Sequence, residues 1–280
     1  MNGIEFDYLR HLLYERSGLA VTKDKLYLLE GRLLPIARKH GLDSLDRLVN
    51  WISRTRDESI IGEIVDAMTT NETLFFRDKW PYERLRHPIL PDVLARCGAQ
   101  KRIRIWSAAC SSGQEPYSIA MTIAEMGTAL GGAQIEICAT DISPSILKRA
   151  REGRYSDFEL SRGLPDAMRA KYFISDGESW RVTENLRNMV TFKSFNLLSD
   201  PVAAGLGTFD IVFCRNVLIY FDEATRGRVL KGISRVMPNW GYLCLGGAET
   251  VVGISDAFKV LSGERGLFAL SKGSKLSDVA

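Results

Sequence analysis

The chain has 280 residues, with 37 Lys and Arg against 34 Asp and Glu, a formal net charge of +3, 45% apolar and 25% charged residues. At roughly 100–200 residues per domain this is one large or two modest domains with ample apolar surface for a core. So small an excess of positive charge does not advertise nucleic acid or an anionic membrane. No apolar run reaches the ~20 residues that a bilayer span needs. The start Met1 to Asp7 has neither a basic nor an apolar signal region, and the sequence is read as cytoplasmic, with no membrane insertion. The five cysteines (Cys97, Cys110, Cys138, Cys214, Cys244) show no C-x-x-C spacing, and three of them sit in apolar strand-like runs. Reduced, buried thiols are expected and no metal site, because His11, His40 and His87 stand apart from any cysteine cluster.

Residues 1–68 read as all-helical. Phe6, Leu9, Leu12 and Leu13 fall at helical spacing, with Gly18 as a stop; Leu26, Leu29, Leu33 and Ile36 repeat the period. The opposite face of this second helix carries Lys25, Arg32 and Lys39, and Gly31 with Pro35 predicts a kink near Leu34. Ser44 to Ile52 and Asp57 to Met68 are two further helices, each opened by an N-cap residue. Residues 69–100 form a linker that contributes to the site. From Arg102 to about residue 273 strand and helix alternate. Strands are expected at Arg102–Ala108, Gln134–Thr140, Met189–Phe195, Phe209–Cys214 and Gly241–Leu245. Helices are expected over Glu115–Met126, after Ser143-Pro144, and over Asp222–Met237. Ala257–Leu261 and Gly266–Leu270 form a terminal hairpin. This is a doubly wound, mostly parallel α/β sheet with a terminal antiparallel strand. Asp176-Gly177 between β-prone runs marks a small β-subdomain inserted at about 154–188, and 274–280 read as a tail.

Ligands of such a sheet lie beyond the carboxyl ends of its strands, and four of these ends are small and polar. The first is Ser107-Ala-Ala-Cys-Ser-Ser-Gly-Gln-Glu115. It matches neither G-x-G-x-x-G nor the triphosphate loop, which removes support for dinucleotides and nucleoside triphosphates. Glu115 falls in a first helical turn, where complementing the helix dipole is the alternative. The second end is Thr140-Asp141, an acid placed to accept the hydroxyls of a ribose or, alternatively, to cap the next helix. Phe195-Asn196-Leu197 and Cys214-Arg215-Asn216 are the third and fourth, whose asparagines are also ordinary turn residues. A nucleoside without a diphosphate cradle points to S-adenosylmethionine more than to NAD. Upstream, Thr69–Asp78 sets Asn71, Thr73 and Arg77 around Phe75 and Phe76, as though this segment folds into a site.

The runs Thr69–Asp78, Trp106–Ala120 (WSAACSSGQEPYSIA), Ala139–Ser143 (ATDIS), Phe195–Leu198 (FNLL) and Phe209–Asp222 (FDIVFCRNVLIYFD) resemble, in order, the motif set of the CheR-type chemotaxis receptor methyltransferases. The resemblance implies a class I S-adenosylmethionine methyltransferase fold behind a small N-terminal all-α domain. It implies S-adenosylmethionine-dependent esterification of glutamates on the cytoplasmic helices of a chemoreceptor, leaving S-adenosylhomocysteine. Carried over, the cofactor contacts are Asn71, Thr73, Arg77, Glu115, Asp141, Asn196, Leu197, Arg215 and Asn216, and the reaction-centre pair is Arg77 and Tyr220. The helical domain is assigned substrate recognition, for which Lys25, Arg32 and Lys39 offer a basic face; residues 22–40 carry a local net charge of +3. The loop Ser175–Ser179 is short for members whose β-subdomain grips a receptor tail, so tail-independent action is expected, and separately a monomer. The alternatives are an S-adenosylmethionine-binding adaptor without catalysis and a methyltransferase acting on another protein.

Overall fold

The computed structural model describes residues 3–98, 101–261, 263 and 265–271; the expected tail at 274–280 lies outside the described residues. The chain divides into two units, Met1–Thr70 with Tyr220–Thr225, and Asn71–Ile219 with Arg226–Ala280.

The first unit is built from helices α1 (Gly3–Ser17), α2 (Leu26–Lys39), α3 (Leu45–Thr55) and α4 (Glu58–Met68). Their apolar stripes supply the interior: Leu9 and Leu13 of α1, Leu29 and Leu33 of α2, Leu48 and Ile52 of α3 and Ile64 of α4 are fully buried. Ser44 caps α3 by accepting from the Arg47 amide, and Asp57 caps α4 by accepting from Ser59 and Ile60. Helix α2 runs through Pro35 to Lys39. Pro35 removes one backbone donor within α2, yet it does not end the helix. Tyr220–Thr225 is tied in by Ala20 N–H to the Tyr220 carbonyl at 3.3 Å and by the Tyr14 hydroxyl to Asp222 Oδ2 at 2.8 Å.

In the second unit, α5 (Trp80–Arg84) and α6 (Leu90–Arg96) precede β1 (Arg102–Ala108), α7 (Gln114–Met126), β2 (Gln134–Asp141) and α8 (Pro144–Glu152). There follow β3 (Arg154–Tyr155), α9 (Asp157–Ser161), α10 (Asp166–Tyr172), β4 (Phe173–Asp176), β5 (Ser179–Val182) and α11 (Glu184–Asn188). The chain then forms β6 (Val190–Ser194), β7 (Ile211–Cys214), α12 (Glu223–Ser234, whose first three residues are grouped with the first unit), β8 (Tyr242–Leu245), β9 (Phe258–Val260) and β10 (Leu267–Leu270). Seven strands make one sheet in the order β6-β2-β1-β7-β8-β10-β9. All pairings are parallel except those of β10, which lies antiparallel between β8 and β9. The strands β7 and β8 are buried at every position, as a parallel sheet covered on both faces requires. The inserted subdomain is the separate antiparallel sheet β3-β5-β4.

Register sets the rim. Ala108 pairs with Thr140 on one side and Cys214 on the other, and Asp141 pairs with Ser194. The residues that follow, Ala109, Asp141, Phe195 and Arg215, therefore share one edge. The chain winds from β1 outward through β2 to β6 and then crosses to β7, so this edge is the switch point where an open α/β sheet leaves a crevice.

Candidate active site

The crevice floor is the turn between β1 and α7. Cys110 N–H donates to the Thr140 carbonyl at 2.9 Å, and Ser111 N–H donates to Asp141 Oδ2 at 2.8 Å. Ala109 and Ser111 hold left-handed backbone angles, φ +59° and +50°, which cost an L-residue about 1–2 kcal/mol each and persist where surrounding contacts hold them. Gly113, at φ +96°, opens α7; a Cβ there would stand 3.0 Å from the Tyr155 hydroxyl and 3.1 Å from Ala150 Cβ. The Tyr155 hydroxyl donates to the Ser112 carbonyl at 2.7 Å, so the inserted subdomain braces the turn from below.

Asp141 is buried at the end of β2. Its Oδ1 accepts from the Ser143 amide at 3.0 Å, while the Ser143 hydroxyl caps α8. Asp141 thus links two loops at the rim and leaves the capping of α8 to Ser143. Its backbone carbonyl accepts from Phe195 N–H at 3.0 Å, fixing where Asn196 and Leu197 begin. Asn196 Oδ1 accepts from Leu198 N–H at 3.0 Å in a side-chain turn; both Asn196 and Leu197 remain half-exposed.

Glu115 and Arg215 face inward. Glu115 Oε1 accepts from the Ser107 hydroxyl at 2.8 Å, and Oε2 accepts from Arg215 Nη1 at 3.0 Å. Arg215 Nη2 donates to the Arg77 carbonyl at 3.0 Å and to Asp78 Oδ2 at 2.7 Å, and its side chain is 1% exposed. Burial pushes the Glu115 carboxyl up, opposed by Arg215 and Ser107. Burial also works against the charge of Arg215, yet Glu115, Tyr82 and Asp78 outweigh it and the guanidinium stays cationic. This ion pair anchors the segment Asn71–Lys79 to the sheet. The same segment is held by the Ser111 hydroxyl on the Asn71 carbonyl at 3.0 Å and by Phe76 N–H on the Ser118 hydroxyl at 3.0 Å. Phe75 packs edge-on against Tyr155 and Phe173. Phe76, Asp78 and Lys79 all have positive φ, a concentration of unfavourable backbone that surrounding contacts must over-determine.

Thr73 and Arg77 are half-buried, and Arg77 Nη1 donates to the Glu72 carbonyl at 3.1 Å. Asn216 follows β7 with φ +59°. Tyr220 ends a 3-10 turn, Leu218–Tyr220, and belongs to the segment grouped with the helical unit. Within that unit Lys25 is exposed, Lys39 Nζ pairs with Glu63 at 2.9 Å, and Arg32 Nη1 donates to the Met68 and Thr69 carbonyls at 3.0 and 3.1 Å. Arg32 therefore closes the carboxyl end of α4, where cations and donors are favoured.

Sequence reasoning missed Asp78 and Glu249. Glu249 stands in the loop after β8 and accepts four backbone N–H groups, including those of Asn216 and Leu218. The signal was a fifth small, polar strand end, Gly246-Gly247-Ala248-Glu249, of the same character as the four singled out. Among the described residues no group of His, Cys, Asp and Glu is placed to hold a metal ion, and no helix is long and apolar enough to cross a membrane.

A mixed seven-stranded sheet of this order, with an acid closing its second strand and a small-residue turn after its first, is the architecture of the S-adenosylmethionine-dependent methyltransferase class. Both units match family models: residues 4–69 the CheR methyltransferase all-alpha domain, and residues 71–267 the CheR methyltransferase SAM binding domain. The chain belongs to the CheR methyltransferase family. It is 39% identical over 275 residues to chemotaxis protein methyltransferase Cher2 of Pseudomonas putida and 40% identical over 272 residues to chemotaxis protein methyltransferase 1 of Pseudomonas aeruginosa. Each alignment covers 96% of this chain and 98% of the relative. The chemotaxis protein methyltransferase of Borreliella burgdorferi is 34% identical over 253 residues, covering 89% of each chain.

Proposed function

We propose that the protein esterifies glutamate side chains on the cytoplasmic helices of a chemoreceptor, in chemotaxis or a related form of sensory adaptation. S-adenosylmethionine is the methyl donor and S-adenosylhomocysteine the product. The observation that carries this reading is the rim: Asp141 closes β2, and Asn196 and Asn216 follow β6 and β7, strands that end in register around a turn of small residues, in a unit matching an S-adenosylmethionine-binding model. The donor set fits that molecule. An anionic acceptor suits a ribose diol, the Ala109–Gly113 turn admits close backbone approach, and that turn matches neither the dinucleotide nor the triphosphate motif. Asn71, Thr73, Arg77, Glu115, Asp141, Asn196, Leu197, Arg215 and Asn216 are the residues proposed to hold it, Glu115 and Arg215 also anchoring the segment Asn71–Lys79.

When bound, S-adenosylmethionine supplies an electrophilic methyl group. A glutamate, with a pKa near 4.3, is already ionised at neutral pH, so the protein has no proton to remove. Its task is orientation, which can contribute about 7–11 kcal/mol. We assign Arg77 to the incoming carboxylate: one of its five N–H donors is spent on the Glu72 carbonyl. Tyr220, assigned by resemblance, donates a hydrogen bond to the second carboxylate oxygen. Orientation rather than tight pairing is the requirement, because a fully neutralised carboxylate is a poorer nucleophile. Lys25, with Arg32 and Lys39, is assigned to acidic receptor helices.

The test is methyl incorporation from labelled S-adenosylmethionine into a receptor cytoplasmic fragment. The label should leave as methanol in mild alkali and should be lost when the acceptor glutamates are replaced by alanine. Alkali-stable label, or none at all, contradicts the reading.

A further inference from the structure

We infer that Glu249 is a positioning residue whose carboxylate moulds the loop after β7 and so sets Asn216 at the nucleotide crevice; this rests on the reading of that crevice as the S-adenosylmethionine site. Glu249 Oε2 accepts from Asn216 N–H at 2.7 Å and Gly246 N–H at 2.6 Å, and Oε1 accepts from Val217 N–H at 2.9 Å and Leu218 N–H at 2.7 Å. Successive amides converge on one anion only when the backbone turns its N–H groups to the same side, the arrangement called a nest. The left-handed angle of Asn216, φ +59°, is what turns them. Asparagine tolerates that angle better than other L-residues, and the Glu249 carboxylate, accepting the three successive amides of residues 216–218, holds the turn in it.

A second observation points to the same contact. A Cβ at Gly246 would lie 2.7 Å from Asn216 Nδ2 and 2.7 Å from Glu249 Oε2. With the Asn216 backbone nitrogen 3.0 Å from the same Cβ, Gly246 is the point at which the loops after β7 and β8 meet, and a methyl group there would have to displace the Asn216 amide group and the Glu249 carboxylate. Arg215 is anchored on the other side through Glu115, so the stretch Arg215–Leu218 is gripped by a carboxylate at each end. Glutamine in place of Glu249 would keep the shape but set an amide N–H2 against two backbone donors. That distinguishes the anion from mere bulk.

The experiment is calorimetric titration of S-adenosylhomocysteine into the full chain and into Glu249→Gln, Glu249→Ala and Gly246→Ala. Each variant should bind about tenfold more weakly or worse, in line with the loss of charge-assisted hydrogen bonds. In steady state the KM for S-adenosylmethionine should rise while that for the receptor fragment holds. Added formate should restore binding to Glu249→Ala without improving the parent protein. In the ligand-free protein the amide proton signals of residues 216–218 should move upfield in Glu249→Gln. Folded variants that bind within about twofold of the parent, or whose two KM values rise together, overturn the role. Should Glu249→Ala fail to fold, the isosteric Glu249→Gln decides. A parent protein that does not bind overturns the crevice reading itself, whereas a parent that binds beside unaffected variants overturns only Glu249.

Discussion

Glu115 and Arg215 stand 100 positions apart, and their meeting is what commits the segment around Arg77 to the rim. Removing one partner of such a pair leaves the other buried and uncompensated. Arg215→Met is expected to cost about 3–5 kcal/mol at neutral pH, read from urea midpoints. Burial raises the Glu115 carboxyl above its unfolded pKa, so its own titration withdraws stability as pH rises past ~4.3. Losing the arginine steepens this, and the deficit of Arg215→Met should be smaller at pH 5 than at pH 8. Equal deficits at both pH values would show that the pair does not carry the charge assigned to it. Glu115→Gln in the same chain should recover part of the loss.

At the scale of elements, the turn between β1 and α7 depends on Gly113. Its φ of +96° and the Tyr155, Ala150 and Tyr117 atoms within 3.2 Å of a built Cβ make Gly113→Ala costly, on the order of 1–3 kcal/mol. Thermal unfolding should register this, and an unchanged midpoint would mean that the turn relaxes freely. The long elements were legible in the sequence. The buried strands β1, β2, β7 and β8 read as apolar runs, and α3, α4 and α8 announce themselves by Ser44, Asp57 and Ser143 caps. The inserted sheet followed from Asp176-Gly177. The helices α5, α6, α9, α10 and α11, of five to seven residues, were not legible. A helix that short is held by its packing rather than by its own propensity or period. The rim acids divide in the same way. Asp141 is visible because it ends a strand, whereas the inward turn of Glu115 and the grip of Glu249 depend on partners distant in sequence.

For the molecule as a whole, the basic face of α2 is less uniform than its spacing suggests. Arg32 and Lys39 are engaged within their own unit, so charge reversal at either disturbs the α4 carboxyl end or the Glu63 pair. Lys25 is the clean probe: Lys25→Glu should raise the KM for a receptor fragment several-fold and leave cofactor affinity unchanged, and an unchanged KM would remove it from recognition. The thiols report on integrity. All five cysteines are free, and burial pushes Cys244 up to about 12 and Cys110, Cys138 and Cys214 upward as well. A thiol reagent at pH 8 should therefore modify the half-buried Cys97 first and the other four only on unfolding; rapid modification of more than one thiol would show that the sheet opens. The most direct measurement is calorimetric binding of S-adenosylhomocysteine to the parent chain and to Asp141→Asn. The parent should bind saturably at one site per chain, and the variant at least about tenfold more weakly, as loss of an ionised acceptor requires. Absence of binding by the parent, or equal binding by both, would contradict the assignment of the nucleoside to the carboxyl end of β2.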